Sequence, residues 1–188
     1  PTTVIEAIAR AKGFESGQVE NDTIDLVDLS RSFLMRGGKR YSLNFEKLFE
    51  DGDLSQNIAI EPGDYLYFPS ANVQQVYVLG EVGLPGMVTY RPDMTVLAAI
   101  SSRGGFNEKA FKSRVLVVRG SLNHPQTFVV DTMGVTSGRL SDFKLQAKDI
   151  VYVSHRPFYR AEDLLDLATT AFIQSVITTW VGTEVLHP

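Results

Sequence analysis

Five short segments in the first 160 residues of this chain occur twice, in the same order. The offset between the two copies is 92 residues at the first pair and 85 at the last, because the connection at 15–30 is longer than the one at 107–113. Conserved order at this spacing predicts a tandem duplication of one domain. The paired segments are 3–8 with 95–100, 13–14 with 105–106, 31–37 with 114–120, 52–55 with 138–141, and 62–67 with 147–152.

The second copy gives the architecture of the repeated unit. Its β-branched and alternating stretches predict strands, and Thr95 followed by an apolar 96–100 predicts a capped helix that Gly104-Gly105 ends. Strands wrapped around one helix are typical of a β-grasp domain, so we expect an α+β fold. The expected domains are 1–72, 73–157 and a C-terminal amphipathic helix at 158–188. The predicted strands are 75–79, 87–90, 115–118, 127–130 and 150–153.

Glycine and proline mark the turns between these strands. Proline presets φ and glycine accepts positive φ, so the residues of the 80–86 connection favour a tight turn inside a hairpin. We interpret these positions as structural turns, in preference to ligand sites. They are Gly63, Gly80, Pro85 and Gly86.

The first copy begins at its helix. Its opening hairpin would have to lie before Pro1, and a β-grasp unit cannot close its sheet without those strands. We therefore expect either that the chain is part of a longer protein or that another source supplies the strands.

The formal net charge of −4 comes from 18 Lys and Arg residues against 22 Asp and Glu residues. A chain without a basic excess is a poor candidate for nucleic-acid binding, so we expect no such partner. The absence of Cys excludes disulfides and a Cys nucleophile. Residues 1–160 are neutral overall, whereas 161–188 contain four acids and no Lys or Arg. The tail at 161–188 therefore differs in its charge from the rest of the chain, which suggests a separate structural role.

The tail favours one long helix, since residues 160–184 contain no Pro. Its 17 residues between Asp166 and Glu184 carry no charge. As a helix they would be about 25 Å long, slightly less than the hydrocarbon core of a bilayer. No segment of the chain reaches the roughly 20 apolar residues of an ordinary membrane-spanning helix.

A helical wheel separates the tail into two sides, although the apolar stripe rotates along the helix. The polar side is predicted to face a water-filled lumen, and its members are Glu162, Asp163, Asp166, Thr170 and Gln174. The apolar side is predicted to face lipid, and its members are Phe172, Ile173, Val176 and Trp180.

Three interpretations of this helix stay open at the level of sequence. It can dock on the last domain, pair with partner helices in a bundle, or form one stave of a transmembrane helical barrel. A stave can be less apolar than a lone spanning helix because one side never meets lipid. The barrel requires an oligomeric ring.

Motifs of catalysis and metal binding are absent. The three His residues have no ligand spacing, so no metal site and no cofactor are expected. The stretch 51–57 resembles a calcium loop, but Gln56 and Pro62 stand where such a loop needs Gly and Glu. We predict that the protein is not an enzyme.

Three stretches resemble the bacterial outer-membrane polysaccharide export proteins of the Wza type. They are 40–69, Val76-Tyr-Val-Leu-Gly-Glu-Val82, and 149–160 leading into a terminal helix. The two repeats resemble the soluble-ligand-binding β-grasp (SLBB) domains of that family. The order of two such units and a helix is more specific than either motif alone.

The resemblance implies a non-enzymatic translocon. Terminal helices of a homo-oligomeric ring would form an α-barrel through the outer membrane, and the β-grasp domains would stack as rings in the periplasm of a Gram-negative bacterium. Capsular polysaccharide or exopolysaccharide would be the cargo, received from an inner-membrane polysaccharide co-polymerase. The family's N-terminal lipidated Cys and export-signature domain do not occur in this sequence, in keeping with the missing hairpin. The alternative function is a soluble periplasmic scaffold or carbohydrate-binding module whose C-terminal helix is docked.

Overall fold

The computed structural model describes residues 1–19, 22–72 and 74–184, with side chains described for 1–17, 26–72 and 74–179. The chain divides into two compact units. Unit 1 comprises Pro1–Val73 and Ser121–Asn123, and unit 2 comprises Gln74–Gly120 and His124–Pro188.

In its described residues, unit 1 contains two short α-helices, two 3-10 turns (Leu29–Arg31 and Leu54–Gln56) and two small sheets. Its elements in chain order are α1 (Val4–Arg10), β1 (Ser16–Val19), β2 (Asp22–Asp25), β3 (Phe33–Arg36), β4 (Lys39–Tyr41), α2 (Phe45–Phe49) and β5 (Tyr65–Tyr67). The strands β1 and β2 form an antiparallel pair, and the larger sheet has the order β4-β3-β5. Helix α1 begins with a capping box, in which Thr3 and Glu6 each accept a hydrogen bond from the other's backbone N–H.

The described part of unit 2 contains a five-stranded sheet and three α-helices. Its elements are β6 (Gln75–Gly80), β7 (Gly86–Thr89), α3 (Val96–Ser102), β8 (Val115–Arg119), β9 (Gln126–Val130), α4 (Thr132–Thr136), β10 (Ile150–Val153) and α5 (Glu162–Glu184). The sheet order is β7-β6-β10-β8-β9, in which β6 and β10 are parallel and the other pairs antiparallel. The predicted α+β fold is confirmed, and each strand predicted in the second copy is present within one or two residues.

One face of the unit 2 sheet packs on α3 and forms the main core. The alternate residues Val76, Val78, Val151 and Val153 point to this side and are buried with Ile100 of the helix. Thr95 accepts a hydrogen bond from Ala98 N and caps α3, as predicted. The helix thus lies across the middle of the sheet, as in a β-grasp arrangement.

The two units share the same internal geometry at equivalent positions. Met35 pairs with Tyr65 in unit 1, and Val118 pairs with Ile150 in unit 2. In each unit the residue that caps the first helix forms a β-bridge to the segment before the last strand. Arg36 binds Asp64 at 2.6 Å, and the corresponding Arg119 binds Asp149 at 2.7 Å. Both carboxylates are almost fully buried, with side chains 1% and 0% exposed. This repetition is compatible with the predicted tandem duplication.

The long helix α5 covers the other face of the unit 2 sheet. Its residues Leu164, Ala168 and Phe172 are buried, and α5 contacts β6, β8 and β10. The Phe172 ring meets the Tyr77 ring edge-on, with 4.7 Å between centroids. The sheet therefore lies between two apolar layers, α3 on one side and α5 on the other.

The Arg36–Asp64 pair predicts an acid-sensitive unit 1. The hydrogen bond from Arg36 holds the pKa of Asp64 below its usual value. A carboxylate with a lowered folded-state pKa stabilises the fold above its unfolded pKa of about 3.9, and this contribution is lost as the pH falls through the folded pKa. In urea unfolding at pH 7, 4 and 3, Asp64→Asn is expected to be less stable than wild type at pH 7 and to lose less stability in acid. Parallel pH profiles for the two proteins would contradict this account.

The α5 interface predicts that substitutions on the two sides of the helix differ strongly in their effect on the free energy of unfolding. Phe172→Ala removes a buried ring and leaves a cavity, which costs about 3–5 kcal/mol in the free energy of unfolding. Thr170→Ala, two residues away on the exposed side, is expected to change it by less than about 0.5 kcal/mol. Urea unfolding followed by circular dichroism measures both. Equal effects would show that α5 does not stabilise unit 2 through this contact.

Candidate functional site on the C-terminal helix

The polar side of α5 is open to solvent along its described length. Every residue predicted from the sequence to face a lumen is exposed. These residues are Glu162, Asp163, Asp166, Thr170 and Gln174. They form a surface of three carboxylates at the start of the helix, followed by a hydroxyl and an amide. The position of this surface in a channel stays a prediction.

The apolar side of α5 lies on the sheet. Phe172, Ile173 and Val176 were predicted to face lipid, and their exposed fractions here are 2%, 3% and 7%. The sequence separated the two sides of the helix, but an amphipathic pattern does not specify what the apolar side contacts. All three residues are buried in this structure, and Phe172 packs on Tyr77 of the sheet. Their predicted contact with lipid stays a prediction. The side chain of Trp180 lies outside the described residues, so its predicted lipid contact stays a prediction.

The sheet residues beneath α5 were missed by sequence reasoning. They are the alternate residues that point away from α3, and they are 0–6% exposed: Tyr77, Leu79, Leu116, Val118 and Ile150. Their signal was present in the sequence, since 76–79 and 115–118 are uninterrupted apolar runs. Such runs are typical of strands covered on both faces, whereas alternation alone needs only one covered face.

The segment that leads into α5 is held at two points. Phe158 is buried, and the Arg114 guanidinium lies 5.2 Å from the centre of its ring. Arg114 also donates a hydrogen bond to Tyr159 O at 2.9 Å. Asp163 accepts one from Arg160 N at 3.1 Å, which satisfies a backbone donor at the helix start. Acidic residues here are favourable because they face the positive end of the helix dipole.

A groove of about 570 Å³ lies between α5 and the β6–β7 turn. Its helix wall carries Gln174, Ser175 and Thr178, and its opposite wall carries Arg103. Arg103 is positioned by donating from Nε to Leu84 O at 2.6 Å. Amide, hydroxyl and guanidinium groups of this kind can exchange hydrogen bonds with the hydroxyls of a sugar.

The predicted turn residues have geometric roles. Gly80 has φ of +83°, and a Cβ at this position would overlap Val153 O. A Cβ on Gly86 would lie 2.9 Å from Nη2 of Arg103. Pro85 precedes Gly86 in the same connection, and Gly63 has φ of +90° in the turn before β5. These constraints favour the interpretation of these residues as structural turns.

The described part of the chain was also expected to hold no metal site. Within it, no three His, Asp or Glu side chains are grouped so that they could hold a metal ion. Asp53, from the calcium-like stretch, accepts a hydrogen bond from Ser55 N, and the hydrogen bonds from Ser55 lower the pKa of its carboxyl. No helix in the described ranges combines the length and the apolarity needed to cross a membrane.

Comparison with known proteins finds one domain match and two similar proteins. Residues 74–153, from β6 through β10, match the SLBB domain. The chain is 29% identical over 171 residues to the EPS I polysaccharide export outer membrane protein EpsA of Ralstonia nicotianae, and 28% identical to the protein of the same name from Ralstonia solanacearum. These matches cover 89% of this chain and 43% of each relative, so the chain spans less than half the length of the curated relatives. The β6–β10 part of unit 2 thus matches the SLBB domain, and the chain is similar to two polysaccharide export outer membrane proteins.

Proposed function

We propose that this chain is part of a non-enzymatic outer-membrane subunit that exports polysaccharide, and that its copies assemble into a ring around a channel. The similarity to two polysaccharide export proteins carries this proposal, because it extends over 89% of the chain and so is not confined to the SLBB domain. The names of these relatives describe export and not a reaction, which supports a protein that conducts its cargo without changing it.

The polar side of α5 is the surface best suited to line such a channel. Beyond the acids at its start, it offers the neutral side chains of Thr170 and Gln174. Neutral hydroxyls and amides form hydrogen bonds with sugar hydroxyls without placing a fixed charge beside the cargo. A moving polymer can exchange such contacts one at a time. The cargo class is capsular polysaccharide or exopolysaccharide, and the supplying partner is an inner-membrane polysaccharide co-polymerase.

A transmembrane ring of these helices requires α5 to leave its own sheet. Phe172, Ile173 and Val176 cannot face lipid while they pack on the sheet. Departure also uncovers five buried sheet residues, each contributing about 1.5–3 kcal/mol by its burial. Their sum, roughly 10 kcal/mol, is comparable to the whole stability of a small domain. Release must therefore be coupled to assembly, with a neighbouring surface covering the sheet while α5 enters the barrel.

The docked position of α5 favours a second candidate function. A soluble periplasmic scaffold or carbohydrate-binding module would keep the helix on the sheet throughout. The groove between Arg103 and Gln174 would then be available to a saccharide. The channel requires α5 to separate from β6, whereas the scaffold requires the two to stay in contact.

A disulfide between α5 and the sheet separates the two candidates. Residues 1–188 contain no Cys, and the rings of Tyr77 and Phe172 are in contact with centroids 4.7 Å apart, so Y77C/F172C places two thiols at facing positions of β6 and α5. Mass spectrometry after oxidation checks that these two thiols have formed a disulfide in the full-length protein. The channel proposal predicts loss of surface polysaccharide on oxidation and its recovery on reduction, because a locked helix cannot enter the barrel. Surface polysaccharide is measured on intact cells.

Two controls separate the effect of locking the helix from the effects of the substitutions and of oxidation. Each single Cys variant reports the cost of the substitution itself. The pair Q75C/T89C joins register partners across β6 and β7 and leaves α5 unlocked, so export should persist after oxidation. Undiminished export by oxidised Y77C/F172C would reject the channel and favour the docked scaffold.

A further inference from the structure

The groove between α5 and the β6–β7 turn carries a positive charge that its own lining does not neutralise. Among the described residues around its volume of about 570 Å³, Arg103 is a cation and none is an acid. No ion pair in the described part of the chain involves Arg103. On α5, the acids nearest to Gln174 in sequence are Asp166 and Glu184, eight and ten residues away. That is about 12 Å or more along a helix, beyond the Debye length of about 8 Å.

The guanidinium of Arg103 is held in place from one side. Its Nε donates to Leu84 O at 2.6 Å, and its Nη2 donates to Pro85 O at 3.5 Å. Within the described residues Nη1 donates no hydrogen bond, so this nitrogen keeps both of its N–H groups for a ligand. A guanidinium that is already positioned is well suited to bind a planar carboxylate through two parallel hydrogen bonds.

Comparison with unit 1 separates this arginine from the requirements of the repeated fold. Gly13 N closes the end of α1 as Gly105 N closes the end of α3, each by a hydrogen bond to the residue five earlier, at 2.9 Å and 3.0 Å. Two residues before this glycine, unit 2 has Arg103 and unit 1 has Ala11. The helix end is therefore built without an arginine in unit 1, and Arg103 is not part of the repeated architecture.

The helix wall of the groove supplies neutral hydrogen-bonding groups. The hydroxyl of Thr178 donates to Gln174 O at 2.8 Å, so the lone pairs of its oxygen remain available to a ligand. The Gln174 side chain is exposed and offers one acceptor and two donors. The lining also includes apolar side chains, namely Leu79, Met87 and Ala171. A pyranose ring has the complementary surface, since its hydroxyls lie at the edge and its C–H groups lie on the faces.

We propose that this groove binds a sugar unit that carries a carboxylate, such as a uronic acid of an acidic polysaccharide. The carboxylate accepts two hydrogen bonds from Arg103, while Gln174 and Thr178 exchange hydrogen bonds with the sugar hydroxyls. The choice of a saccharide rests on the proposed export function, and the choice of an acidic one rests on Arg103. Because one wall belongs to α5 and the other to the β6–β7 turn and the end of α3, the bound sugar favours the docked helix over a released one.

Titration of the 188-residue protein with trimannuronate, followed by NMR, tests the proposal. The fully methyl-esterified trimer is the matched ligand, because it has nearly the same shape and no charge. Trimannuronate should shift the resonances of the groove residues. The ester should bind about tenfold more weakly, because it cannot form the charge-assisted hydrogen bonds to Arg103.

Two variants and a control assign the binding to the groove. Arg103→Gln should weaken binding of the acid about tenfold, because it removes the guanidinium. Gln174→Glu should also weaken it, since it places a negative charge beside the carboxylate, and this exposed position on α5 tolerates substitution. Arg91→Gln is the matched control. It removes an exposed arginine outside the lining of this groove and changes the net charge by the same amount, so the affinity should stay unchanged.

Hydrogen exchange of α5 gives a second readout. With trimannuronate at about ten times its Kd, the amides of 171–179 should exchange about tenfold more slowly, because the ligand binds the docked helix. Unchanged exchange in the presence of bound ligand would contradict the bridging role.

Three outcomes of the titration would overturn the inference. They are the absence of shifts in the groove residues, equal affinity for the acid and the ester, and displacement of the acid by inorganic phosphate at equal concentration. The last would show an anion site without sugar recognition. All three concern binding by the purified protein, whereas export is measured as surface polysaccharide on intact cells, so either proposal can fail without the other.

Discussion

The burial of the unit 2 sheet on both faces is the constraint on which the rest of this structure depends. Val76 and Val78 face α3, while Tyr77 and Leu79 on the same strand face α5. A strand of this kind cannot present either face to water without a loss of several kcal/mol. Whatever the helix does in the working protein, the second face of the sheet must stay covered.

This constraint limits what the apolar side of the amphipathic tail can contact. The tail's polar side is suited to line a channel, and its apolar side is suited to lipid or to a sheet, but one helix cannot satisfy both apolar contacts at once. The helix is docked here, and the proposed channel therefore involves an exchange of partners that ring assembly makes possible. The acids Glu162, Asp163 and Asp166 remain in water in either arrangement because they lie on the exposed side.

The elements that could be predicted from the sequence are those governed by local chemistry. Thr95 predicts where α3 begins, and Gly104-Gly105 predicts where it ends. Alternating β-branched residues predict the strands. The two sides of α5 also followed from residue spacing. The partner of the apolar side did not, because a wheel records which residues are apolar and contains no information about distant contacts. The continuous apolar runs at 76–79 and 115–118 were the available sign of a second covering layer. Helix α4 was not predicted, since it is one short turn whose start depends on Asp131 accepting a hydrogen bond from Gly134 N.

The central claim is that copies of this protein form a ring with the α5 helices at its axis. Electron cryo-microscopy of the full-length protein, extracted in mild detergent, tests it most directly. The account predicts closed rings in which rod-shaped helical density projects from the β-grasp layer and surrounds an open axis. Monomeric particles in which α5 still lies across β6, β8 and β10 would contradict it.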